Sequence, residues 1–138
     1  MIHLIYISSA TNQPSENELI DLLEQSRARN KKQHITGLLL YNKSIYMQLL
    51  EGEYNDVHDI FSSIQNDSRN TGVAKLLEEG IIQRDFPDWN MGFKNLECFS
   101  PDDIPGFVDI FNGRLNKDLV IKHKSDAVNL IMNFAINT

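Results

Sequence analysis

Tyr6, Gln48 and Asn30 carry the polar groups best equipped for hydrogen-bond chemistry, and each stands where those groups must find partners. Tyr6 lies within His3-Leu4-Ile5-Tyr6-Ile7-Ser8, a short run rich in β-branched and aromatic side chains, so its phenol is a donor and an acceptor in an apolar setting. Gln48 interrupts the apolar Met47-Gln48-Leu49-Leu50. Its amide can serve up to about four hydrogen bonds, and leaving a buried polar group unpaired costs ~1–3 kcal/mol. Gln48 therefore either meets a functional partner, or faces solvent or backbone groups as an ordinary strand glutamine. Asn30 follows Arg27 and Arg29 and precedes Lys31 and Lys32, which leaves it as a ligand-holding amide or a helix C-cap. The basic cluster itself either complements a helix dipole or helps to bind an anion. Other chemistries lack their residues. Cys98 is the lone cysteine, which excludes an intrachain disulfide and a cysteine-rich zinc site, and His3, His34, His58 and His123 show no metal-ligand spacing.

The elements that must position these residues follow from periodicity. His3 to Ser8 reads as a buried strand that stops at the Thr11-Asn12-Gln13-Pro14 turn cluster. Alternation puts Leu4, Tyr6 and Ser8 on one face. Ser15-Glu16-Asn17-Glu18 fits a capping box, and Leu19, Leu22 and Leu23 continue it as a helix. Ile35 to Tyr41 and Ile45 to Leu50 read as an antiparallel hairpin around Asn42-Lys43-Ser44, with Tyr46, Gln48 and Leu50 on one face. A second helix starts near Glu53 and Asp56, runs through Val57, Ile60, Phe61 and Ile64, and breaks at Asn66-Asp67-Ser68. Val73 to Gln83 is ambiguous between helix and strand, and Trp89 to Phe93 reads as a strand with Trp89 and Met91 on one face. This order predicts an α+β fold: a ferredoxin-like split βαβ sandwich, a mixed sheet with two helices on one face. Ser100-Pro101-Asp102 and then Ser125-Asp126 open further helical stripes, so residues 99–138 read as a helical extension packed on a domain of residues 1–98.

With 138 residues, 41% of them hydrophobic, the chain has the proportions of one soluble domain. Its net charge of −6 argues against a nonspecific grip on nucleic acid or an anionic membrane. No apolar run approaches the ~20 residues of a membrane span and the start lacks a signal peptide's basic region, so a cytoplasmic protein is expected.

Four segments together resemble a known family. His3-Leu4-Ile5-Tyr6-Ile7-Ser8, Asn30 leading into Ile35-Thr36-Gly37, Gln48-Leu49-Leu50-Glu51-Gly52, and Trp89-Asn90-Met91 are similar, in spacing and order, to the BLUF domain, the blue-light sensor that uses FAD. The resemblance implies that Asn30 holds the N3 and O4 edge of the flavin and that Gln48 lies between the N5 and O4 edge and the Tyr6 hydroxyl. It implies that Tyr6 gives an electron and a proton to the excited flavin, that the pair recombines, and that the Gln48 amide returns with a changed hydrogen-bond pattern and a small red shift. Leu22 and Ile64 match the aliphatic positions that sandwich the ring; as members of helical stripes they read equally as core. Arg69 matches an arginine near the ribityl and phosphate region, although Asn70 stands where family members often carry His. Trp89 and Met91 match the relay beside the glutamine, with core packing as the alternative.

The tail resembles that of short BLUF proteins without a fused enzymatic domain. That implies a photoreceptor without turnover, which signals to a downstream protein partner or through a homo-oligomer, with the tail and an exposed sheet face as the contact surface. Two competing readings remain at this level: a colourless small-ligand regulatory module, which the fold permits, and an acylphosphatase-like hydrolase. The second lacks a Gly-rich anion loop, since Ser9-Ala10-Thr11-Asn12-Gln13-Pro14 precedes the first helix.

Overall fold

Period-two alternation along three central strands builds the frame. The computed structural model describes residues 1–88 and 90–95, in the order β1 (Ile2–Ala10), α1 (Glu16–Lys32), β2 (Thr36–Asn42), β3 (Ile45–Gly52), α2 (Tyr54–Gln65), β4 (Asn70–Gly80) and β5 (Gly92–Asn95). Trp89 and the expected extension over residues 99–138 lie outside the described residues. The sheet order is β4-β1-β3-β2-β5, antiparallel throughout except for β2 beside β5. With β3 inserted between β1 and β2, this is the α+β, ferredoxin-like split βαβ arrangement that the element order predicts.

Leu19 and Leu23 of α1 and Val57, Ile60, Phe61 and Ile64 of α2 share one core cluster with Leu4, Tyr6, Leu39 and Leu50, so both helices cover the same sheet face. Each such aliphatic side chain contributes roughly 1.5–3 kcal/mol on burial. The opposite face is buried as well: Ile5, Leu38, Leu40 and Leu49 are at most 1% exposed. The expectation of an exposed sheet face is thus corrected.

The termini of α1 obey local chemistry. Ser15 Oγ accepts the Glu18 amide at 3.1 Å while Glu18 Oε1 accepts the Ser15 amide at 3.2 Å, completing the capping box. At the other end the Ile35 amide bonds the Asn30 carbonyl at 2.8 Å and the His34 amide bonds the Lys31 carbonyl at 3.4 Å, with His34 at φ 56° in the place usually taken by glycine. The β2–β3 turn is shorter than Asn42-Lys43-Ser44 suggested: Lys43 and Ser44, both at positive φ, form a two-residue turn whose twist suits the hairpin.

The ambiguous Val73–Gln83 stretch falls mostly in β4, an edge strand. Its register against β1 slips twice, between Ile5 and Tyr6 and between Ile7 and Ser9. The first slip leaves Leu76 without a Cα partner and 44% exposed. The last strand is also displaced from its expected bounds. It begins at Gly92, so Met91 precedes the ladder, and its carbonyl is taken by Arg27 rather than by a neighbouring strand.

Candidate functional site

The direct Tyr6↔Gln48 pairing of β1 with β3 puts both side chains on the helix-covered face, and Leu39 of β2 stands opposite Gln48 in turn. The Tyr6 hydroxyl donates to Gln48 Oε1, both groups being buried. Gln48 Nε2 donates to Met91 Sδ at 3.3 Å. One amide therefore has its acceptor end on a phenol and its donor end on a thioether, which can only accept. Phe61 stands beside Tyr6 with ring centroids 5.7 Å apart. Burial pushes the Tyr6 phenol above its ordinary range, and the Arg29 charge acts in the opposite sense without cancelling it.

Tyr6 and Gln48 wall a cleft between the sheet and the two helices, with about 550 Å³ of empty space including its mouth. Leu22 of α1 and Ile64 of α2 supply apolar walls, and Tyr46, whose phenol burial pushes up to about 12, and Leu39 line the sheet side. Three cleft residues have a buried polar atom with no partner: Ser8 Oγ, Arg29 Nε and Asn70 Oδ1. Asn30 Oδ1 is also without a partner, although Asn30 is not among the residues that line the cleft. Buried polar atoms are seldom left unpaired, so the three on cleft residues mark a place for a ligand with donors and acceptors of its own.

Asn30 is fully buried and lies three residues before Gln33, which is the helix C-cap in its place. Its Nδ2 donates one N–H to the Asn90 carbonyl at 3.1 Å, and its Oδ1 has no partner. Arg69 lies at the cleft, held by Asp67 through Nη2–Oδ2 at 2.5 Å and by Gln25 Oε1 at 3.1 Å. The Arg69 bond holds the Asp67 carboxyl below its usual range. A second hollow, lined by Thr11, Asn12, Pro14, Glu18 and Ser68, shares Leu22, Tyr46 and Arg69 with the first. The structure thus brings Tyr6, Gln48 and Met91 into one bonded chain and places Leu22, Ile64 and Arg69 along one cleft.

Sequence reasoning missed Ser26 as a cleft residue and offered Arg29 only as one of a basic cluster that either complements the helix dipole or helps to bind an anion. The signal was present: Leu19, Leu23, Ser26 and Asn30 are all buried at helical spacing, so the inward stripe of α1 continues in polar residues. Glu51 has a different task. Its buried carboxylate accepts the Thr36 hydroxyl at 3.0 Å and the Asp85 and Phe86 amides at 2.6 and 3.1 Å, and burial raises its pKa above the ordinary carboxylate range.

The family model described as BLUF, sensors of blue-light using FAD, matches residues 1–92. The beta subunit of a photoactivated adenylate cyclase from Euglena gracilis is 33% identical over 89 residues, 64% of this chain and 10% of that protein. The blue light- and temperature-regulated antirepressor BluF of Escherichia coli (strain K12) is 30% identical over 101 residues, 73% of this chain and 25% of its own length. The matched part is thus a quarter or less of either relative. Among solved structures, BlrB, a BLUF protein in its dark state, matches with a TM-score of 0.70 at 26% identity, covering 99% of this chain and 96% of that one. No helix among the described residues is long and apolar enough to cross a membrane.

Proposed function

Because the chain belongs to the BLUF family of blue-light sensors that use FAD, we propose that the cleft between α1 and α2 holds FAD noncovalently and that Tyr6 and Gln48 form a light-driven hydrogen-bond switch read by Met91. One observation carries this reading: the Gln48 amide spans the Tyr6 hydroxyl and the Met91 sulfur at the wall of the cleft. The residues fit the cofactor. Leu22 and Ile64 offer apolar walls to a flat ring, and the unpartnered Asn30 Oδ1 is an acceptor for a ring N–H. One N–H of Nδ2 is taken by the Asn90 carbonyl, so Asn30 keeps its oxygen and one further N–H for the ring edge. Arg29 and Arg69 give an otherwise acidic protein two cations at the cleft, of which Asp67 already holds Arg69.

When bound, FAD supplies absorption of blue light and an excited state able to accept an electron. In this reading Tyr6 loses one, and the hydrogen bond from its hydroxyl to Gln48 Oε1 supports a proton acceptor there. If the amide settles with its ends exchanged, Oε1 faces Met91 Sδ, two acceptors meet, and the Nε2–Sδ bond is gone. Met91 thereby senses the orientation of Gln48. The output passes to a protein partner or a second copy of the chain, and the residues described here carry out no turnover.

The test is an absorption spectrum of the FAD-loaded protein in darkness and just after blue light, in the wild type and two variants. Tyr6→Phe should keep FAD and lose the red shift entirely; a normal shift would remove Tyr6 as the donor. Gln48→Leu should also abolish the shift while keeping the fold. A protein that takes up no FAD on reconstitution is instead the colourless binding module.

A further inference from the structure

The residues before β5 are gripped from two sides. Arg84 donates to the Glu51 and His34 carbonyls, both at 2.8 Å, while the Glu51 carboxylate takes the amides of Asp85 and Phe86. Five residues on, the grip changes to one turn of α1. Asn30 Nδ2 holds the Asn90 carbonyl at 3.1 Å, and Arg27 places Nε and Nη2 on the single carbonyl of Met91 at 3.1 and 3.0 Å. A guanidinium fork on one oxygen is a charge-assisted contact, stronger than an ordinary backbone bond.

The Met91 side chain is flexible, with a weak acceptor at its end. Whether its sulfur stays within reach of Gln48 Nε2 therefore depends on where the backbone of residue 91 is held, and Arg27 holds it. Arg27 does not line the cleft. We infer that Arg27 is a positioning residue which, through the Met91 carbonyl, fixes Met91 Sδ against Gln48 Nε2 and so sets the direction in which the Gln48 amide faces. The inference rests on the reading of Gln48 as a switch only for its kinetic consequence, since the contacts themselves involve protein atoms alone.

The consequence follows from the relative stability of the two amide orientations. The Nε2–Sδ bond favours the observed one; once Met91 drifts, the return to it loses driving force. Arg27→Met, similar in length but without donors, should slow dark recovery about three- to tenfold, the range of a lost hydrogen bond. FAD affinity and the size of the red shift should not change. Arg27→Lys, which keeps the charge and a donor without the fork, should fall between. In a Met91→Leu background, Arg27→Met should add nothing, because the sulfur through which it acts is gone.

Two readouts decide the matter: recovery kinetics of the FAD-loaded protein, and the NMR shift of the Gln48 side-chain amide in the FAD-free protein. A moved Gln48 resonance in Arg27→Met, with recovery slowed only when Met91 is present, supports the inference. Unchanged recovery, or an equal slowing in both Met91 backgrounds, overturns it. If the loaded protein shows no light response, the photoreceptor reading falls, and the Gln48 resonance still decides whether Arg27 positions the amide. If Arg27→Met does not fold, Arg27→Lys and Arg27→Gln give the same comparisons.

Discussion

Tyr6 is a phenol that the fold keeps neutral. In water a tyrosine is half ionised near pH ~10, whereas burial holds the Tyr6 pKa above that ordinary value. A raised acid pKa means that the protonated, hydrogen-donating form persists to higher pH. The light-minus-dark amplitude should therefore stay constant between about pH 7 and about pH 10, measured on samples checked for an intact fold. A decline centred near the ordinary tyrosine value would show that water reaches the hydroxyl. Tyr6 and Gln48 were legible in the sequence because a strand alternates with period two, so a polar residue among apolar ones has a readable face. Arg29 and Ser26 were not. A basic cluster at a helix end satisfies the dipole wherever it points, and only the packing of α1 against the sheet decides which of its polar residues turns inward. Asn30 was legible as a buried or capping amide, while its bond from Nδ2 to Asn90 depends on a segment distant in sequence.

At the level of elements, the β2–β3 pair has no slack at Gly37. Its φ of +151° suits glycine, and a Cβ there would lie 1.9 Å from the Leu49 carbonyl oxygen, a backbone atom that cannot swing aside. Gly37→Ala should lower stability by at least ~1–3 kcal/mol, read as a lower urea midpoint at unchanged slope. An unchanged midpoint would mean that the two strands separate more readily than their pairing implies. Both helices and the central strands were readable from stripes and caps. β4 was not, since Lys75-Leu76-Leu77-Glu78-Glu79 favours a helix in isolation and becomes a strand only because β1 offers it a ladder. The start of β5 was misjudged for a related reason: Arg27 occupies the Met91 carbonyl that a strand would have used.

For the whole molecule, the unpartnered polar atoms around the cleft predict that the cofactor is part of the folded state's stability. A ligand at a hundred times its Kd that binds the folded chain alone adds about 2.7 kcal/mol. For a domain of this size that is a rise in Tm of about 5–10 °C, measurable by calorimetry with and without FAD. No shift at saturating FAD would separate the cleft from the stability of the fold. The long outer strand β4 has a different consequence. A regular edge of 11 residues would present an unbroken row of free amides and carbonyls, the usual template for fibre growth between crowded copies. Here the slips beside Tyr6 and Ser9 divide that row into short pieces, Leu76 bulges from it, and Lys75 adds charge. The irregularity beside Tyr6 thus also makes this edge a poor template for association between copies.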